Sequence, residues 1–203
     1  MAEGGSGMKK NASKNTTKIA IIFLVMIVAV VAYFAYLSGR DKGADDEAAM
    51  SAARLVLSRD LENNYPPTVK EVMKYYVDIQ KCLYSEECAE EEIEQLGMKA
   101  RSLFDDELLA ANDVTNHLLA IKSEITSFQE DSRQITAASV ASSANVDTFT
   151  EDGYEFARIH CVYTVLDGGQ SNLVDMVYLL RRDGNRRWKI YGWDLAQNVN
   201  PTD

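Results

Sequence analysis

The chain has 203 residues, 46% of them hydrophobic and 26% charged, with a formal net charge of −10. That balance suits a packed domain and excludes a wholly disordered or low-complexity chain. Residues 1–40 hold five cations and one acid, a net of +4, so the remainder carries −14, and a body that acidic repels nucleic acid rather than binding it.

The opening "MAEGGSGMKKNASKNTTK" is polar and basic, and residues 1–18 are expected to form a cytoplasmic tail. Residues 19–37 then carry no charge. At 1.5 Å rise per residue such a segment spans roughly 28 Å, close to a bilayer core, which predicts a transmembrane helix in contact with the lipid bilayer. A cleaved signal peptide is the competing reading, but its apolar region is usually shorter, and Tyr33, Phe34, Tyr36 and Leu37 make a poor small-residue cleavage site. Lys9, Lys10, Lys14 and Lys18 precede the span, whereas Asp45, Asp46 and Glu47 follow soon after Arg40 and Lys42. The positive-inside bias therefore predicts a single-pass cell-membrane protein with a cytoplasmic N-terminus and an extracytoplasmic C-terminal domain. On that side, residues 38–54 read as a stalk, 55–197 as the domain and 198–203 as a tail.

Pro66 and Pro67 stop the chain ahead of "TVKEVMKYYVDIQKCLY", where Thr68 and Glu71 form a capping box. Val69, Val72, Met73, Tyr76, Ile79 and Leu83 share one face of this first predicted helix. A second runs through "AEEEIEQLGMKARSLFDDELLA", with Ile93, Leu96, Ala100, Leu103 and Phe104 at helical spacing, its glutamates reading as a solvated face near the helix N-terminus. A third starts at Asn112 and Asp113 and repeats apolar residues at Val114, Leu118, Ile121, Ile125 and Phe128.

The period then changes to two, punctuated by Asp152-Gly153, Asp167-Gly168 and Asp183-Gly184, which read as hairpin turns. They divide the rest into four strands over 134–149, 154–166, 173–182 and 187–195. In the second, Ala157, Ile159, Cys161, Tyr163 and Val165 fall on one face, with Arg158, His160 and Thr164 on the other. The expected fold class is α+β: three helices packed on a four-stranded antiparallel curved sheet.

This order, and above all the closing "RDGNRRWKIYGWDL" with Gly184, Trp188, Lys189 and Ile190, resembles the nuclear transport factor 2-like (cystatin-like) superfamily. The resemblance covers residues 55–197 and implies a cone-like sheet wrapped around the helices. The plan is also similar to single-pass proteins of Gram-positive bacteria that carry such a domain outside the membrane, and to membrane-anchored assembly subunits of secretion and conjugation machines. What it implies is a non-catalytic binding or assembly module of the cell envelope. The alternative is a cone-fold isomerase or dehydratase. In such enzymes an Asp, His or Tyr sits inside the cone, and here Asp175 and Tyr163 are the polar interruptions of the strands. Asp175 shares a strand face with Leu173, Val177 and Leu179, where burial would raise its pKa toward proton-transfer chemistry. The plainer reading puts it at the strand's exposed start.

Five of the 16 cations beyond residue 40 fall within 181–189: Arg181, Arg182, Arg186, Arg187 and Lys189. Beside a turn they read first as a solvated edge that deters strand pairing, and second as a patch for an anionic polymer or an acidic envelope protein. His117 and His160 have no partner at metal-ligand spacing, and no Gly-rich phosphate loop or nucleophile elbow is present, so no metal or cofactor is expected. Cys82 and Cys88 are the candidate disulfide, provided the helix ends between them, and Cys161 reads as a small core residue.

Overall fold

A computed structural model describes residues 51–85 and 88–199. The basic tail 1–18, the membrane span 19–37, residues 38–50 of the stalk and the final residues of the C-terminal tail lie outside this range. Among the described residues no helix is long and apolar enough to cross a membrane.

The fold is α+β. Helices α1 (Ala52–Leu57), α2 (Val69–Ser85), α3 (Glu90–Arg101), α4 (Asp106–Ala111) and α5 (Val114–Glu130) precede strands β1 (Gln134–Val140), β2 (Asp147–Glu151), β3 (Tyr154–Asp167), β4 (Gln170–Arg182) and β5 (Trp188–Leu195). The strands form one antiparallel sheet in the order β1-β3-β4-β5, with β2 also on β3. The described part therefore has five helices where three were expected, and five strands where four were.

Each difference has a local cause. Helix α1 crosses the expected boundary between stalk and domain at residue 55. Ser51 caps it, Ala53 is 1% exposed, and the Val56 carbonyl accepts a 2.7 Å hydrogen bond from the Tyr75 hydroxyl. The domain consequently begins upstream of the predicted start. The second predicted helix is interrupted at residues 102–105, where the chain leaves the helix to run beside β5. There Ile190 N–H donates to the Leu103 carbonyl and Asp105 N–H to the Ile190 carbonyl, both at 2.8 Å. Asp105 then caps α4 by accepting from Glu107 N–H at 3.0 Å.

The strand predicted over 134–149 breaks at the 3-10 turn Ser143–Asn145. Its halves pair with opposite ends of β3: Val140 with Cys161 on one side, Asp147 with Arg158 on the other. Turn positions shift as well. Asp152 and Gly153 both adopt positive φ, as a two-residue hairpin turn requires, but Asp167 is the last paired residue of β3 and the second turn is Gly168-Gly169. The third closes over five residues, with the Asp183 carboxylate accepting from the N–H groups of Asn185 and Arg187, and positive φ falling on Arg186 rather than on Gly184.

Helix α2 lies at the centre. Its capping box forms, with Glu71 N–H donating to Thr68 Oγ1 at 3.2 Å. Beyond the predicted stripe it also buries Tyr75, Val77 and Cys82, because α1 and α3 contact it in addition to the sheet. The inner sheet face follows the expected parity: Ala157, Ile159 and Cys161 are fully buried, while His160 is exposed. The pairing of β4 with β5 is irregular at one point. Between Leu180↔Ile190 and Leu179↔Gly192 the register slips, leaving Tyr191 as an extra residue. Simple alternation from Ile190 would turn Trp193 outward. The bulge returns it to the inner face, paired with the inward Tyr178.

Candidate functional site: an aromatic cavity on the inner sheet face

The returned Trp193 borders an open cavity of about 450 Å³ between the helices and the inner face of the sheet. Helix α2 supplies Tyr76, Gln80 and Tyr84, spaced four apart and so stacked along one face. Helix α5 supplies His117, Ile121, Glu124 and Phe128 at steps of four, three and four, and the sheet supplies Tyr163, Val165, Val174, Met176, Tyr178 and Trp193.

Its wall is an array of touching rings. Tyr76 lies 6.0 Å from Phe104, 5.7 Å from Tyr178 and 6.2 Å from Trp193 between centroids, and Phe104 and Tyr178 lie 5.7 and 6.1 Å from Trp193. Such edge and tilted contacts match the quadrupoles of the rings. The hydroxyls of Tyr163 and Tyr178 share a 2.9 Å hydrogen bond. Burial raises the pKa of Tyr76, Tyr163 and Tyr178, so all three stay neutral phenols at ordinary pH. Trp193 is 43% exposed, so its ring faces both cavity and solvent.

Two ionisable groups interrupt this apolar lining. The Tyr84 hydroxyl donates to Glu124 Oε2 at 2.5 Å, which fixes the carboxylate at the wall and leaves its other oxygen outside that bond. The His117 ring packs edge-on against Phe104 at 5.6 Å, and its Nε2 is buried with no hydrogen-bond partner among the described residues. Desolvation, and then the nearby charge of Arg101, hold His117 below its ordinary pKa of 6.5, so it is neutral at pH 7. Arg101 itself is buried and donates to the Asn112 carbonyl at 2.8 Å.

The residues singled out from sequence are distributed differently. Asp175 pairs with Val162 and Tyr163 with Val174, so Asp175 and Tyr163 lie on opposite faces of the sheet and share no pocket. Asp175 is half exposed on the outer face, 3.1 Å from His160 Nδ1, and no buried carboxylate results. Tyr163 does line the cavity.

The five cations do not form one surface either. Arg181 is 11% exposed and forks onto the buried Asp105, with Nε–Oδ2 at 3.0 Å and Nη2–Oδ1 at 2.5 Å, between the rings of Tyr154 and Tyr191. Its Nη1 reaches Glu107 at 2.6 Å. Arg182 pairs with Glu155 at 2.8 Å. Arg187 and Lys189 both lie over the Tyr65 ring and donate to the carbonyls of Glu62 and Ser102. Arg186 holds the strained turn position.

Helix α2 ends at Ser85, as a Cys82–Cys88 bridge would need. Cys88 Sγ lies 3.5 Å from the Cys82 carbonyl oxygen. Cys161 is buried at the sheet centre, which pushes its thiol pKa up to about 12. Among the described residues no group of three or more His, Cys, Asp and Glu is gathered to hold a metal ion.

Sequence reading missed Glu124, Trp193 and the stacked Tyr76-Gln80-Tyr84 face as one site. A signal for part of it existed. His117 and Glu124 fall at helical spacing with Ile121 and Phe128 of the apolar stripe, on one edge of it, and Gly192 inside a strand is a bulge signal.

Fold and site together define an α+β domain with an open, aromatic-walled cavity carrying a carboxylate. The chain belongs to the family described as a domain of unknown function, DUF6715, whose model matches residues 8–193. No curated protein shows a significant match.

Proposed function

We propose that the protein is a membrane-anchored, extracytoplasmic binding module of the cell envelope, and that its ligand seat is the cavity bordered by Trp193. The carrying observation is an open space of about 450 Å³, the size of a small-molecule site, walled by Tyr76, Phe104, Tyr178 and Trp193. Leaving Trp193 partly in water and a carboxylate on an apolar wall adds nothing to folding that a smaller, filled core would not supply. Anchoring is supported by the uncharged segment 19–37 with lysines before it, and the family match runs from residue 8 through that segment and into the domain. A cone of the nuclear transport factor 2-like type is supported by helices packed on the inner face of an antiparallel sheet with a cavity between them.

The catalytic alternative required Asp175 and Tyr163 to act together, and the strand register sets them on opposite faces. Two measurements test the proposal. Protease added to intact cells should digest the C-terminal domain while sparing an N-terminal tag; a protected domain would refute the topology. Small ligands entering the cavity should change Trp193 fluorescence saturably, and the change should vanish in Trp193→Phe, since the second tryptophan, Trp188, is not among the cavity-lining residues.

A further inference from the structure

Resting on that reading of the cavity, we infer that its ligand is a small organic cation, an amine or quaternary ammonium group seated against the Tyr76, Phe104, Tyr178 and Trp193 wall and balanced by Glu124. Three observations combine. The first is the ring wall. Aromatic faces are negative at their centres and attract a cation within about 6 Å, most strongly where water is partly excluded, and Trp and Tyr do so better than Phe. Three of the four contacting rings here are Trp or Tyr.

The second is the charge of the lining. Among the described residues that line the cavity, Glu124 is an acid, and none is Lys or Arg. Its Oε2 is occupied by the Tyr84 hydroxyl, which orients the carboxylate without neutralising it. The neighbouring His117 is neutral at pH 7 and adds no opposing charge. Arg101, whose charge reaches His117, is buried and donates to the carbonyl of the lining residue Asn112, but is not itself among the lining residues.

The third is the long-range field. Beyond residue 40 the chain carries −14, which raises the local concentration of cations and lowers that of anions around the domain. An apolar pocket for a neutral ligand needs none of this, and a pocket for a carboxylate or phosphate would place a cation where Glu124 stands.

The test uses three probes of nearly equal size and shape: choline, its neutral isostere 3,3-dimethylbutan-1-ol, and the anion 3,3-dimethylbutanoate. Each is titrated into the full-length chain in an uncharged maltoside detergent, with Trp193 fluorescence as readout and empty micelles subtracted. The expected order is choline above the alcohol by about tenfold or more, with the carboxylate weakest. Glu124→Gln keeps an acceptor for Tyr84 and should fold normally, checked by its melting temperature, while losing about tenfold in choline affinity and leaving the alcohol unchanged. Equal binding of choline and alcohol, or no effect of Glu124→Gln, overturns the cation assignment while the cavity remains a binding site. Saturable binding of none of the three overturns both.

Discussion

Arg181 and Asp105 form the contact with the largest energetic consequence at the scale of single residues. Asp105 is 3% exposed, and the Arg181 guanidinium supplies two hydrogen bonds to its carboxylate. Removing one partner of a buried pair leaves the other charged and uncompensated, a loss of about 3 to 5 kcal/mol. Arg181→Gln is therefore expected to lower stability by about 3 kcal/mol in denaturant unfolding. Arg182 and Arg187 hold a surface pair, ring contacts or backbone carbonyls and Arg186 is exposed, so their combined replacement by Gln should cost about 1 kcal/mol or less. Treating all four as one solvated edge, as the sequence suggests, fails most at Arg181, while Arg182 and Arg187 are half-buried and Arg186 is exposed. An Arg181→Gln protein as stable as the triple variant would show that Asp105 finds another partner.

His117 yields a pH prediction of definite sign. Its folded pKa lies below the ordinary 6.5, because burial and Arg101 disfavour the charged ring while Glu124 opposes them more weakly. Above the unfolded pKa both states are neutral and the group has no effect. As the pH falls below about 6.5 the unfolded chain takes up the proton first, and stability is lost until the folded pKa is passed. His117→Gln removes that proton uptake, so the melting-temperature difference between wild type and variant should change in the variant's favour from pH 7.5 to pH 5. A difference independent of pH would show that His117 titrates equally in both states.

At the scale of elements, the packing of α3 on α5 turns on Gly97. A Cβ there would meet Leu118 Cδ2 at 2.7 Å and Ile121 Cδ1 at 3.2 Å, so the two helices approach as closely as they do because position 97 has no side chain. Leu118 is only half-buried and can swing away from a methyl group, but Ile121 is in the core and lines the cavity. Gly97→Val should therefore destabilise by about 1 to 3 kcal/mol and perturb Trp193 fluorescence by shifting α5. A variant at least as stable as wild type, with an unchanged spectrum, would place the helix contact elsewhere.

The elements also show what can be read locally and what cannot. Helix α2 was legible because its cap, proline stop and apolar face all lie within one 20-residue window, and β3 because strict alternation ran through Ala157, Ile159, Cys161 and Tyr163. The break of the second predicted helix at 102–105 was not legible, since its cause is pairing with Ile190, more than 80 residues away. Asp105 and Arg181 are likewise 76 residues apart. The cavity was half legible: Tyr163 was picked out on the correct face. The Tyr191 bulge that turns Trp193 inward reverses the parity on which any sequence reading of β5 depends.

For the molecule as a whole, the question is where the independently folding domain begins. Composition places its start near residue 55, at the end of a polar stalk. In the structure α1 is part of the core instead: Ala53 is 1% exposed and belongs to the same buried cluster as Val72 and Ile79, and the Val56 carbonyl is the acceptor for the Tyr75 hydroxyl on α2. A chain cut at residue 60 would leave that hydroxyl without its protein acceptor and uncover the face of α2 on which α1 rests. An unsatisfied polar group costs about 1 to 3 kcal/mol, to which the exposed apolar area adds. A fragment of residues 45–203 is accordingly expected to unfold in one cooperative transition, because helices and sheet already bury each other's apolar faces. The 60–203 fragment should be less stable by about 2 kcal/mol or more, a large share of the stability of a domain this size. Denaturant melts of the two fragments, read by Trp193 and by far-UV circular dichroism, decide it. Equal midpoints would mean that α1 packs on the domain without supporting it and that the boundary near 55 was the better one.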